Sequence, residues 1–163
     1  MKEKVKRILG ILITLCMITA TCATTYAAET PPNLGETVDG SLLTDDNTSE
    51  VEIYNPTRGN ILNRGAARIS DNGNGSVNAY GAVMAAVQCD TLKLVMNIQR
   101  LEGNSWVNVK TYSATASNTG LLTRSYNYNV QGGYYYRVKA GCIAIKGGTT
   151  ETQIPITSGI WID

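Results

Sequence analysis

Beyond residue 28 the chain shows no helical periodicity. Apolar and polar residues alternate with a period of two, in runs parted by Gly and Asn clusters. Ala66–Ser70 leads through Asp71-Asn72-Gly73-Asn74-Gly75 into Ser76–Met84, and two Asn-Gly steps predict a hairpin there. Leu92, Leu94, Met96 and Ile98 alternate with Lys93, Asn97 and Gln99, which predicts a strand with one face in the core. Glu102-Gly103-Asn104-Ser105 turns the chain into a return strand from Trp106 to Tyr112, followed by a small polar loop from Ala114 to Gly120. Tyr126, Tyr128 and Val130 resume the alternation up to a turn at Gln131-Gly132-Gly133.

The run from Tyr134 to Ile145 is the most informative. Tyr134, Tyr136, Val138, Ala140 and Cys142 share one face, expected to be core. Tyr135, Arg137, Lys139 and Gly141 share the other, expected to meet solvent or a partner. A further strand over Thr149–Ile156 carries Pro155, which marks a sheet edge, and Gly159 precedes a closing Ile160-Trp161-Ile162. The expected fold is all-β: a small β-sandwich of seven or eight short antiparallel strands over residues 53–163.

The N-terminus changes the picture by giving the chain an address. Lys2, Lys4, Lys6 and Arg7 precede an apolar run from Ile8 to Ala20, and small residues follow up to Ala27-Ala28. That order is a secretory signal peptide over residues 1–27, with a helical apolar segment too short for the roughly 20 residues of a membrane span. Neither Cys16 nor Cys22 follows a very small residue as a lipid-anchoring motif requires. The expected product is secreted and extracellular, with no membrane attachment after cleavage.

Charge divides the rest. Residues 28–52 hold seven acidic residues and no Lys or Arg, with Pro31-Pro32 and few apolar side chains, and read as a disordered acidic leader. Residues 53–163 hold ten basic and five acidic residues. The sum beyond the signal is near neutral, which speaks against nucleic acid as a partner. Cys89 and Cys142 are the only cysteines beyond the signal, and an even count in an exported chain predicts a disulfide, worth about 4 kcal/mol on the chain-entropy argument.

The aromatic strand Tyr136-Arg137-Val138-Lys139-Ala140 resembles the penultimate strand of fibronectin type III and related immunoglobulin-like sandwiches, and Trp106 resembles their core tryptophan. Ala140 stands two residues before Cys142, where the immunoglobulin pattern has its corner tyrosine, so the resemblance implies architecture without strand labels. The succession Asp39-Gly40-Ser41-Leu42-Leu43-Thr44, Asp71–Val77, Gly132–Val138 and Gly159–Ile162 resembles a family of small secreted proteins of unknown function from Gram-positive, Clostridia-like bacteria. That resemblance implies an address and no activity.

The chain contains no histidine, which removes Ser-His-Asp and Cys-His nucleophilic systems and the commonest transition-metal ligand. The two cysteines match no zinc-site spacing, and Asp71-Asn72-Gly73-Asn74-Gly75 has too few carboxylates for a calcium loop, so neither a metal nor a cofactor is expected. A carboxylate pair such as Asp90 with Glu151 leaves a small hydrolase as an alternative. Eight tyrosines beyond the signal, and no Phe in the chain, direct attention to half-exposed aromatic surfaces. The expected function is a non-catalytic extracellular binding or interaction module for a protein or glycan, with a cell-wall or glycan-binding module as the second reading. Tyr135, Arg137, Lys139 and Trp161 are its candidate ligand-binding residues.

Overall fold

Alternation and turn chemistry place most of the strands. In a computed structural model, which describes residues 30–55 and 61–163, nine strands and no helix are found among the described residues. The signal peptide expected over residues 1–27 lies outside the described residues, as do residues 28 and 29. Residues Pro31–Asp163 form one compact unit. Its strands are β1 (Thr37–Val38), β2 (Ser41–Thr44), β3 (Thr48–Tyr54), β4 (Leu62–Gly73), β5 (Ser76–Glu102), β6 (Ser105–Asn129), β7 (Tyr134–Lys146), β8 (Thr149–Gln153) and β9 (Gly159–Ile162).

The fold is all-β, but the expected two-sheet sandwich of short strands is replaced by one continuous sheet curled into a half-barrel. Its order is β1-β2-β9-β7-β5-β4-β3, with β6 added to β5 and β8 added to β7. The cause lies in β5 and β6, of 27 and 25 residues. They run antiparallel through the segment expected to be a loop at 114–120, and the sheet bends where their register shifts between Met84 and Cys89. Before the bend β5 pairs with β4; after it, Thr91–Arg100 pairs with β7. The two halves of β5 then face each other so closely that a Cβ on Gly81 would sit 2.7 Å from Met96 Sδ. Glycine is the residue that permits this approach. Between the halves lies the main core, built on Ile69, Val83, Leu94, Ile98, Tyr136 and Val138.

Residues 28–52 were expected to be a disordered leader; the described part instead carries β1, β2 and most of β3. Leu43 and Ser41 are buried, and β2 runs parallel to β9 with Leu43 opposite Gly159. Composition misleads here because the acids Glu36, Asp39, Asp45, Asp46, Glu50 and Glu52 are exposed, while Val38, Leu43 and Val51 turn inward, even though Leu34 and Leu42 stay exposed. Asp39 and Gly40 both have positive φ, 48° and 74°, as a two-residue hairpin turn between twisted strands demands.

The expected disulfide is also corrected: Cys89 and Cys142 are both free and buried. Pairing of β5 with β7 sets Cys142 opposite Leu94, five residues along β5 from Cys89. At about 3.3 Å per residue that is about 16 Å, more than twice the Cα separation a disulfide spans. Cys142 Sγ donates to the Ala82 carbonyl at 3.3 Å, and burial pushes its pKa up to about 12.

Candidate functional site

Both faces of β7 are buried over Tyr135–Val138, which corrects the expectation that one meets solvent there. Tyr136 and Val138 enter the main core as expected, but Tyr135 and Arg137 are only 3% and 1% exposed. The β1–β2 hairpin, taken above as leader, lies over that second face. A small second core forms there from Leu43, Leu101 and Tyr135, flanked by Val38, Trp106 and Trp161.

Arg137 organises this layer. Its Nε donates to Gln99 Oε1 at 2.8 Å, its Nη1 to Ser41 Oγ at 2.8 Å and to the Asp39 carbonyl at 3.0 Å, and its Nη2 to Asp39 Oδ2 at 2.8 Å. Its guanidinium lies over the Trp106 ring at 4.4 Å from the centroid. Ser41 Oγ passes a hydrogen bond on to the Thr157 carbonyl, and Trp106 Nε1 donates to the Val38 carbonyl. A buried charge needs such a full set of partners. These contacts occupy Arg137 within the fold and take it out of reach of a ligand. The hydrogen bond and charge of Arg137, and then the charge of Lys139, half-buried further along β7, hold the Asp39 carboxyl below the ordinary range.

The other two candidates come together. Tyr135 and Trp161 are cross-strand neighbours on β7 and β9, with ring centroids 5.0 Å apart at 68°, edge to face. They line a cleft of about 250 Å³ at the start of β7. Tyr134 contributes a third ring, Pro32 and Asn33 come from the segment before β1, Leu101 from the end of β5 and Gly103 from the β5–β6 turn. Trp161 Nε1 donates to Asp163 Oδ1 at 2.8 Å, and Arg100 lies over the Tyr134 ring at 4.6 Å. The Tyr135 hydroxyl is buried and has no hydrogen-bond partner among the described residues. Its pKa is raised by burial first, and then by the nearby carboxylates of Asp45 and Glu36.

Sequence reasoning missed Tyr134 as a wall of this cleft, having placed it in the core, and missed Pro32 and Asn33 altogether. The available signal was Asp39-Gly40 between Val38 and Ser41, a hairpin cue that makes the preceding residues part of the domain. The two carboxylates of the hydrolase alternative each accept from backbone: Asp90 Oδ2 from Gly147 N and Glu151 Oε2 from Leu62 N, both at 2.8 Å. Among the described residues no group of three or more His, Cys, Asp or Glu is placed to hold a metal ion. No family model matches the chain, and a search of the curated proteins finds no match to it.

Proposed function

We propose that this is an exported, non-catalytic binding module whose ligand enters the aromatic cleft at the start of β7. The observation that carries the reading is the gathering of three rings, Tyr134, Tyr135 and Trp161, around one cleft, with Trp161 only half-buried. Ligands of wall or glycan type suit these walls, since a sugar ring has an apolar face for aromatic stacking and hydroxyls at its rim. At about 250 Å³ the cleft is smaller than the usual small-molecule pocket, which favours one sugar unit or a chain end over a large ligand.

The test is a glycan array, peptidoglycan fragments included, probed with the protein and its Trp161→Ala variant, then titration of any hit by tryptophan fluorescence. The expected result is a hit whose affinity falls at least about tenfold, or about 1.4 kcal/mol, in the variant. Binding that is equal in both, or no hit on the array, overturns the reading.

A further inference from the structure

Four strands of the sheet have a neighbour on one side only: β1, β3, β6 and β8. Exposed sheet edges invite pairing with other chains, and proteins blunt them with charge, proline or brevity. Three of these edges are blunted. β1 has two residues, β3 carries Glu50 and Glu52 outward, and β8 carries Glu151 with Pro155 shortly after. β6 is different. From Thr111 to Thr123 it has neither a charged residue nor a proline, and among the described residues it pairs with β5 alone.

Five residues within that stretch read alike in both directions. Ser113-Ala114-Thr115-Ala116-Ser117 is a palindrome about Thr115, bounded by Tyr112 and Asn118. A strand laid antiparallel against its own copy with Thr115 on the two-fold axis sets Ser113 opposite Ser117 and Ala114 opposite Ala116. The faces agree as well. Ser113, Thr115 and Ser117 are exposed, whereas Ala114 and Ala116 are half-buried and pack toward the main core. Every cross-strand pair is then a match of small side chains, with a Ser/Thr ladder outside and Ala inside, and no like charges meet. Asn118, with φ of 53°, breaks the extended strand just past the palindrome and limits the pairing to about this length.

We propose that the β6 edge pairs with β6 of a second copy of this chain, antiparallel and centred on Thr115, joining two half-barrel sheets across a two-fold axis. An isologous contact of this kind closes on itself and goes no further than a dimer. Five residue pairs make a small interface, so the dimer is weak, with a dissociation constant on the order of 10–100 μM.

The register makes the proposal testable residue by residue. Sedimentation velocity of the full chain from about 10 μM to about 1 mM should show a monomer–dimer equilibrium. Thr115→Lys sets two like charges opposite each other at the axis and should abolish the dimer, with a thermal midpoint lowered by no more than the small cost of facing Lys93 across the β5–β6 pair. Thr115→Glu should do the same, and mixing the Lys and Glu variants should restore a dimer. Thr115→Cys brings two cysteines within disulfide reach, about 5.5 Å or less between Cα atoms. Ser113→Cys leaves them four residues apart along the paired strands, about 14 Å. With Cys16 and Cys22 replaced by Ser and Cys89 and Cys142 buried and silent, the first should cross-link at least about tenfold faster than the second. A monomer throughout the concentration range, or equal cross-linking at positions 115 and 113, overturns the proposal.

Discussion

Replacing Arg137 by Ala tests whether the N-terminal hairpin is part of the domain or merely lies on it. The side chain is 1% exposed, and its partners differ in how they would survive its loss. Asp39 is 73% exposed at its side chain and turns to water, so that ion pair adds little. Gln99 is 7% exposed and would lose the guanidinium proton on Oε1, which leaves a buried acceptor unpaired at about 1–3 kcal/mol. Ser41 keeps its donation to the Thr157 carbonyl but loses what it accepts. The cavity against Trp106 adds a packing loss, and the sum is about 3–5 kcal/mol. For a domain of this size that lowers the thermal midpoint by about 10–20 °C.

Urea unfolding followed by tryptophan emission is the assay, because the guanidinium lies on the Trp106 ring. Arg137→Met separates the two components. It refills most of the volume without the hydrogen bonds, and should recover between a third and two-thirds of the loss, about 1–3 kcal/mol. Hydrogen exchange should show residues 37–44 losing protection first in Arg137→Ala. A loss under about 1 kcal/mol, with protection of that hairpin unchanged, would refute the clamp argued from these contacts.

The remaining expectations follow from burial and charge. Tyr136→Ala should cost about 3–5 kcal/mol in urea unfolding, since the ring is 1% exposed in the main core and its hydroxyl donates to the Gln131 carbonyl. Tyr135→Phe should be neutral or stabilising by up to about 1 kcal/mol, because it removes a hydroxyl that has no partner; a clear loss in thermal melts would show that the hydroxyl is satisfied. Cys142 should resist alkylation in the native protein at pH 8 and label fully in denaturant, as peptide mapping reads it, given a pKa pushed up to about 12 by burial. Asp39 has its pKa lowered from 3.8 in the folded state, so its contribution is present above that value and lost as pH falls through the folded one. Acid titration of stability below pH 3.8 should therefore be steeper for the wild type than for Asp39→Asn.

Much of the fold was legible because turn chemistry and alternation are local. The Asn-Gly turn between β4 and β5, the turns at 102–105 and 131–133, and the core face of β7 follow from spacing alone. The bend in β5 and β6 was not legible. Ala114–Gly120 has the small polar residues of a loop, and only the ladder to β5 holds it extended, a tertiary effect that propensity does not carry.

The two largest misreadings, the leader and the solvent-facing side of β7, are one error. A segment with seven acids and few apolar residues was judged by its mean composition, yet a two-strand cover needs only Leu43 and Ser41 turned inward and its acids turned out. Once the hairpin at Asp39-Gly40 is admitted, something must lie beneath it, and the residues available are those that alternate away from the main core on β7. Arg137 then has to be a buried, fully partnered cation, which is what Gln99, Ser41 and Asp39 provide. The same reasoning explains why Tyr135 and Trp161 remain beside a cleft while Arg137 does not. The cover from β1 and β2 meets β9 at Gly159 and Ile160 and reaches Arg137, two residues along β7 from Tyr135. Leu43 still packs on Tyr135, and beyond it the cleft beside Tyr135 and Trp161 is lined by Pro32 and Asn33, which precede the hairpin. The cleft is therefore a consequence of where a short hairpin ends. Its position depends on register: moving the β2–β9 pairing by one residue would turn Leu43 outward and shift the cover relative to Tyr135.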